Sequence, residues 1–175
     1  MKRFTTTATM LLVTVVLGVS GLGFLEVADD PGSAFTFLHI PVILAAILDG
    51  PLAGSLVGLV FGAVCLLHYD PTDPVVQLLP RLLIGPVTAG TFALVRELRA
   101  HSSARNSLAA LVAVMAGSWT NTLGVCLVAI MRGHNTLEEL APMALLHGSA
   151  EWITAEMVAF PIVVLIYSQR RRKRR

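Results

Sequence analysis

The sequence predicts an all-α integral membrane protein, a compact bundle of about six transmembrane helices with both termini on the cytoplasmic side. Hydrophobic residues make up 55% of the chain and charged residues only 14%, against about a quarter charged in an ordinary soluble domain. The apolar residues form runs close to the roughly 20 residues that a bilayer-spanning helix requires. Basic residues collect in alternate connections between these runs, as is typical of loops that face the cytoplasm.

The apolar runs define a single transmembrane domain over residues 1–175. The predicted spans cover residues 5–26, 34–49, 51–68, 75–96, 106–131 and 146–168. The second and third are short and meet at Asp49-Gly50-Pro51, where a tight turn precedes a proline that can begin a helix without losing a hydrogen bond. This favours two short spans over one long helix. The first run lacks a small-residue cleavage site, so we predict a retained helix and not a signal peptide.

The distribution of charge predicts the orientation. Eleven basic residues fall on the side of the N-terminus, in the segments 2–3, 96–105 and 170–175, whereas Arg132 is the one basic residue on the other side. That other side carries seven carboxylates: Glu26, Asp29, Asp30, Asp70, Asp73, Glu138 and Glu139. Six spans place all eleven basic residues together, and five would divide them. The basic tail 170–175 follows an apolar run directly, which indicates contact with anionic membrane lipids and not with nucleic acid.

Charged and amide side chains within the apolar runs are candidates for function, because a charge in hydrocarbon costs about 2.5–3.5 kcal/mol. Arg81 follows Pro80 in the fourth run, and its guanidinium could hold a carboxylate through two parallel hydrogen bonds. It could equally form a structural ion pair with Glu151 or Glu156. Asn121 in the fifth run could bind a polar ligand or form a hydrogen bond between helices.

Glu151 and Glu156 are five residues apart, so they point about 140° away from each other on a helix. At most one of them is therefore expected in a given cavity, and we favour Glu151. His39 and Trp119 are further candidate substrate contacts. Gly54, Gly58 and Gly62 recur every four residues, a pattern that allows close approach of another helix backbone, either within the bundle or from a partner protein.

Catalytic motifs are absent from the sequence, which contains no HExxH, GxSxG or Walker pattern. Cys65 and Cys126 stand alone in apolar runs and indicate small buried residues, not a disulfide or metal site. We predict no enzyme activity, no metal, no cofactor and no ability to hydrolyse ATP. Two alternatives stay open: an intramembrane enzyme acting on a lipid-linked substrate through Glu151 and His147, and a structural or channel-like protein whose buried charges only pair.

Five features, taken in order, resemble the substrate-binding membrane subunit, or S component, of energy-coupling-factor (ECF) vitamin transporters. They are the stretch HIPVILAAILDGP at 39–51, the glycines of the third run, the stretch LPRLLIG at 79–85, Thr120-Asn121-Thr122, and Glu151 ten residues before Pro161. The resemblance implies a subunit of the prokaryotic plasma membrane that captures a vitamin from outside. It further implies docking on a transmembrane coupling protein with two ATPase subunits, and toppling in the membrane to deliver the ligand.

Within that family, Pro80-Arg81 and Asn121-Thr122 are most similar to the pantothenate-specific members. This implies that Arg81 contacts the pantothenate carboxylate and Asn121 its amide or hydroxyl groups, with riboflavin or another vitamin as the alternative. The family often carries an Ala-x-x-x-Ala stripe in the first span, which contacts the coupling protein. Here Thr5, Ala8 and Thr9 occupy that region, so the resemblance implies docking through Thr–Ala packing.

Overall fold

The computed structural model describes residues 2–26, 34–68, 73–99 and 104–172. Within them lie six helices and one two-stranded hairpin: α1 (Lys2–Val19), β1 (Phe24–Glu26), β2 (Ala34–Thr36), α2 (His39–Asp49), α3 (Pro51–His68), α4 (Pro74–Leu98), α5 (Arg105–Met131) and α6 (Leu137–Arg172). Among the described residues, α3, α4, α5 and α6 are long and apolar enough to cross a membrane, and α1 and α2 are shorter apolar helices. The predicted all-α membrane protein with six helices is confirmed.

Some of the charges used for the predicted orientation lie outside the described part. These are Asp29, Asp30, Asp70, the tail residues 173–175, and the side chains of Lys2, Arg3, Glu26, Arg171 and Arg172.

Successive helices run in opposite directions, which gives the bundle two distinct ends. The hairpin end carries β1, β2 and the start of α6, and there the Phe24 ring stacks on His68 with centroids 3.9 Å apart. The turn end carries Asp49-Gly50-Pro51, and there the Thr7 hydroxyl donates to the Asp49 carboxylate at 2.6 Å. The Tyr167 hydroxyl donates to the Ile47 carbonyl at 3.4 Å, also at the turn end. The start of α1 and the end of α6 therefore lie at the same end.

The hairpin corrects two predicted boundaries. The first span was expected to run to residue 26, but α1 ends at Val19 because Gly21 adopts a φ of 76°, a left-handed conformation that breaks the helix. The second was expected to begin at residue 34, but residues 34–36 pair antiparallel with β1, with Leu25 opposite Phe35. The apolar composition of both segments had suggested helix, and apolar runs alone do not distinguish a strand from a helix.

The short helix α2 is the centre of the bundle. Every residue from His39 to Leu48 is buried, and α2 contacts all five other helices. A helix that is apolar on all sides is one that packs on all sides. At 11 residues it is about 16 Å long at 1.5 Å per residue, about half of the ~30 Å hydrocarbon core. Its hydrophobicity thus reflects protein packing and not exposure to lipid.

Helix α6 begins nine residues before the predicted start at 146. A capping box fixes this start: the Glu139 carboxylate accepts from the Thr136 N–H at 2.9 Å, and the Thr136 hydroxyl accepts from the Glu139 N–H at 3.4 Å. The Thr136-x-x-Glu139 pattern is visible in the sequence, but two acidic residues in the first turn had placed this segment in a loop. The additional turns supply one wall of the site described below.

Asp73 connects the start of α4 to the end of α5. Its carboxylate caps α4 by accepting from the Val75 N–H at 2.9 Å. It also accepts from His134 Nε2 at 3.0 Å and pairs with Arg132 Nε at 2.6 Å. The hydrogen bonds from His134, Arg132 and the Val75 N–H, in that order of effect, hold the pKa of Asp73 well below its usual range. Asp73 thus joins the start of α4 to the residues that follow α5, at the hairpin end.

The glycine stripe of α3, formed by Gly54, Gly58 and Gly62, packs against α4 inside the bundle. A Cβ at Gly54 would lie 2.7 Å from the Gly85 Cα of α4, and one at Gly62 would lie 2.9 Å from the Gln77 carbonyl oxygen. A Cβ at Gly58 would overlap the carbonyl oxygen of Arg81. The backbones of α3 and α4 are therefore in direct contact along this stripe, which sets the position of Arg81 relative to α3.

We expect Gly58→Ala to lower the midpoint of thermal unfolding, because overpacking against a backbone atom costs about 1–3 kcal/mol. Gly90→Ala is the matched control: it lies in the interior of α4, and a Cβ there meets nothing within 4 Å. Ala in place of that glycine should stabilise the helix by up to about 1 kcal/mol. Thermal unfolding of the two purified variants checks this, and equal midpoints would contradict the close contact of α3 with α4.

Candidate functional site

A cavity of about 170 Å³ opens in the half of the bundle nearer the hairpin end. Its lining comes from β2, α3, α4, α5 and α6, and none of the lining residues belongs to α2. The described residues that line it are Thr36, Cys65, Arg81, Asn121, Thr122, Val125, Cys126, Leu140, Met143, Ala144, His147 and Glu151. The structure thus brings Arg81, Asn121 and Glu151, three of the five predicted substrate contacts, into one cavity.

The Glu151 carboxylate is the organising group of this site. It is 4% exposed and accepts three hydrogen bonds from two other elements. Oε1 accepts from the N–H of Thr36 in β2 at 3.0 Å. Oε2 accepts from Asn121 Nδ2 at 3.0 Å and from the Thr122 hydroxyl at 2.9 Å, both on α5. A buried charge is tolerated when its lone pairs are satisfied in this way, so Glu151 joins the hairpin, α5 and α6.

His39 supports the site from outside the cavity. Its side chain is fully buried, and Nε2 lies 3.3 Å from the backbone carbonyl oxygen of Glu151. A carbonyl oxygen can only accept, so Nε2 carries the proton in this contact. Nδ1 is buried and finds no hydrogen-bond partner within the described part of the chain. The structure thus places His39 beneath Glu151, where it positions α6 against α2, and not in the lining.

Pro80 and Arg81 act as a pair. A proline has no N–H, so Pro80 leaves the carbonyl of Val76, four residues earlier, without its helical hydrogen bond. The guanidinium of Arg81 donates to that same carbonyl at 3.0 Å. The side chain is 5% exposed, with Cζ 5.2 Å from the centre of the Phe61 ring. The proline therefore provides the acceptor that holds the cation in place.

The same arrangement recurs one helical turn and a half further along α4. Pro86 leaves the carbonyl of Leu82 without its helical partner, and the hydroxyl of Ser55 in α3 donates to it at 3.1 Å. Pro86 lies on the exposed side of α4, away from the cavity.

Asn121 has one polar atom left for a ligand. Its Nδ2 donates to Glu151, whereas Oδ1 is buried and has no hydrogen-bond partner among the described residues. The residue is 3% exposed and lines the cavity. An unsatisfied buried acceptor costs about 1–3 kcal/mol, so a ligand that donates a hydrogen bond to Oδ1 would recover that energy. The cavity thus offers a cation at Arg81 and an acceptor at Asn121.

Trp119 and Glu156 lie elsewhere. Trp119 packs on α6, where a Cβ at Gly148 would be 2.7 Å from its ring. The Trp152 indole donates to Glu156 at 3.2 Å, away from the cavity.

The sequence did not predict that Thr36 and the first turns of α6 line the cavity, because Thr36 was assigned to a helix and the start of α6 to a loop. Cys65 and Cys126 are free thiols that line the cavity.

Replacing Pro80 tests the pairing with Arg81. We expect Pro80→Ala to restore the helical hydrogen bond to Val76 and so remove that carbonyl as an acceptor for the guanidinium. The thermal midpoint should change little, because the regained helical hydrogen bond offsets the packing lost at the fully buried Pro80 ring, while ligand affinity falls about two- to tenfold from the cost of ordering one long side chain. Pro86→Ala is the matched control and should leave affinity unchanged. Binding measured by calorimetry checks this, and equal affinity of Pro80→Ala and the unmodified chain would contradict the proposed role of the proline.

The fold defines a multi-pass membrane protein whose bundle encloses a small cavity with polar groups from Arg81, Asn121 and Glu151. The profile of the family described as "ECF transporter, substrate-specific component" matches residues 2–172, and the chain belongs to that family. It is therefore a substrate-binding subunit of a transport protein and not an enzyme, which removes the alternative of lipid-linked catalysis. Family membership implies a coupling protein, ATPases and a small-molecule substrate. No curated protein sequence matches the chain.

Proposed function

We propose that this chain captures pantothenate from outside a prokaryotic cell and delivers it inward together with a coupling protein and two ATPase subunits. The observation that carries the proposal is the juxtaposition of Arg81 and Asn121 in one cavity. Pantothenate has a carboxylate at one end, and an amide and two hydroxyls along its length. A guanidinium matches the carboxylate, and the Asn121 Oδ1 matches a hydroxyl or an amide N–H.

Glu151 supports this assignment indirectly. Three hydrogen bonds occupy most of the roughly four acceptor positions of a carboxylate, so Glu151 shapes the cavity more than it binds the ligand. Arg81 then supplies the positive charge for an anionic ligand.

The dimensions of the cavity favour pantothenate over riboflavin. Its volume of about 170 Å³ is below the 300–1,000 Å³ typical of drug-sized ligands. Among the described lining residues, His147 is the one aromatic ring. A flat three-ring ligand would be expected to stack on several aromatic side chains, whereas a short flexible chain needs polar groups at a few points.

We further propose that the hairpin end faces outward and the turn end faces the cytoplasm. The charge distribution supports this, since the turn end carries four arginines in or next to the terminal turns of helices, namely Arg96, Arg99, Arg105 and Arg170. The cavity would then lie in the outer half of the bundle, where it can receive ligand from outside. Thr5, Ala8 and Thr9 are exposed on α1 and form the face proposed to dock on the coupling protein.

A panel of water-soluble vitamins tests the proposal on the purified chain in detergent. A ligand present at about 1,000 times its dissociation constant should stabilise the protein by about 4 kcal/mol, a readily measured rise in thermal midpoint. Stabilisation by pantothenate alone is the expected result. A rise with a different vitamin would overturn the ligand and retain the transport subunit. No rise with any vitamin, for a protein shown to be folded, would overturn both the choice of pantothenate and the capture of a vitamin by this chain.

A further inference from the structure

Two arginines at the turn end are held against one aromatic ring. Tyr167 of α6 has the guanidinium carbon of Arg96 5.6 Å from its ring centre and that of Arg170 5.5 Å from it. Arg96 comes from the last turn of α4, so the two cations reach the ring from different helices. Arg96 also lies over Phe92, at 5.4 Å. These four residues form what we call the arginine–tyrosine cluster.

The aromatic part of the cluster is fixed in place by three helices. The Phe92 and Tyr167 rings are 5.5 Å apart and tilted by 47°, and Phe92 is 5% exposed. The Tyr167 hydroxyl donates a hydrogen bond to the Ile47 carbonyl near the end of α2. The rings thus form a rigid support for the two guanidinium groups, which lowers the entropic cost of binding a ligand to them.

The charges of the cluster are not balanced within the described part of the chain. Neither Arg96 nor Arg170 forms an ion pair with a described carboxylate, and Arg96 Nε is buried with no hydrogen-bond partner. Asp49, also at the turn end, accepts a hydrogen bond from the neutral Thr7 hydroxyl, and among the described residues it pairs with neither arginine. The two guanidinium carbons lie 5.6 and 5.5 Å from the same ring centre, so two positive charges are gathered at one place on the turn end. An anion that contacts both would balance these charges.

We propose that Arg96 and Arg170 bind the phosphate group of an anionic phospholipid. Guanidinium groups bind phosphate through paired hydrogen bonds, and stacking on a ring leaves their in-plane N–H groups available. The cluster lies at the ends of two helices that are apolar enough to cross a membrane. Leu94, Leu98 and Leu165, within two residues of the cluster, are more than half exposed. A headgroup at the cluster would therefore have its acyl chains beside apolar side chains.

Lipid titration of the full chain in detergent tests this site. Phosphatidylglycerol, phosphatidylcholine and inorganic phosphate are added separately, and the thermal midpoint gives an apparent affinity for each. We expect the unmodified chain to bind phosphatidylglycerol about tenfold or more tightly than the other two. The double variant Arg96→Gln/Arg170→Gln should lose that preference. Arg99→Gln is the control: it removes an exposed charge from the same end and should keep the preference.

Three outcomes would overturn the proposal. Equal affinity for inorganic phosphate would make the cluster a site for free anions, and a retained preference in the double variant would place lipid binding elsewhere. An equal loss in Arg99→Gln would show that general positive charge attracts the lipid. If the double variant does not fold, Arg170→Gln alone replaces it, because Arg170 is exposed at the end of α6. Its expected loss is smaller but still exceeds that of Arg99→Gln.

Discussion

Replacing Arg81 by Gln should weaken pantothenate binding by about ten- to a hundredfold, the effect of losing one hydrogen-bonded ion pair of about 1.5–3 kcal/mol. Arg81→Lys should give an intermediate loss, because an ammonium keeps the charge but not the planar pair of donors. Calorimetric titration of the purified variants gives the affinities directly.

Ligand analogues separate a contact with Arg81 from damage to the fold. Pantothenol has an alcohol where pantothenate has its carboxylate, so the unmodified chain should bind it much more weakly. If Arg81 contacts the carboxylate, Arg81→Gln should bind the two compounds almost equally. Arg132→Gln is the control, since Arg132 pairs with Asp73 outside the cavity and should retain the discrimination. A discrimination that survives in Arg81→Gln would show that another group binds the carboxylate.

Replacing Glu151 by Ala should cost about 3 kcal/mol or more of stability, because it leaves three donors on two elements without their acceptor. Ligand binding should be lost with it, since Asn121 and the hairpin lose their common anchor. Glu156→Ala is the matched control on the same helix, where one hydrogen bond from Trp152 is lost, and its thermal midpoint should fall much less.

The coupling energy between Glu151 and Asn121 tests the hydrogen-bond network more directly than the loss of stability in either single variant. In a double-mutant cycle with Asn121→Ala, the combined loss should be smaller than the sum of the two single losses, because both remove the same hydrogen bond. Strict additivity would contradict the network. If Glu151→Ala does not fold, Thr122→Val removes one of the three donors with little change in shape and should cost about 1 kcal/mol.

The sequence predicted the number of helices and the polar residues of the cavity for the same physical reason. A long apolar run in a sequence has few structures open to it besides a transmembrane helix. A charge within such a run is costly in hydrocarbon, so it marks a residue with a specific partner or function. Arg81, Asn121 and Glu151 stood out as polar groups in apolar runs, and all three line the cavity.

What the sequence did not predict depends on context. Residues 24–26 and 34–36 become strands only because they pair with each other. Thr36 enters the site through its backbone N–H, which every residue other than proline possesses. Pro80 and Pro86 indicated two carbonyls without helical partners, but the donors that satisfy them, Arg81 and Ser55, could be identified only from the packed structure.

The burial of α2 has a consequence for how a solute can cross. Because α2 fills the axis of the bundle between the cavity and the turn end, a bound ligand has no direct passage through the chain. Displacing a helix packed on five others would approach the cost of unfolding a core. We therefore expect the ligand to reach the other side by reorientation of the subunit as a body. Flux should then be strictly saturable, with one ligand carried per reorientation and no leak conductance in the isolated subunit.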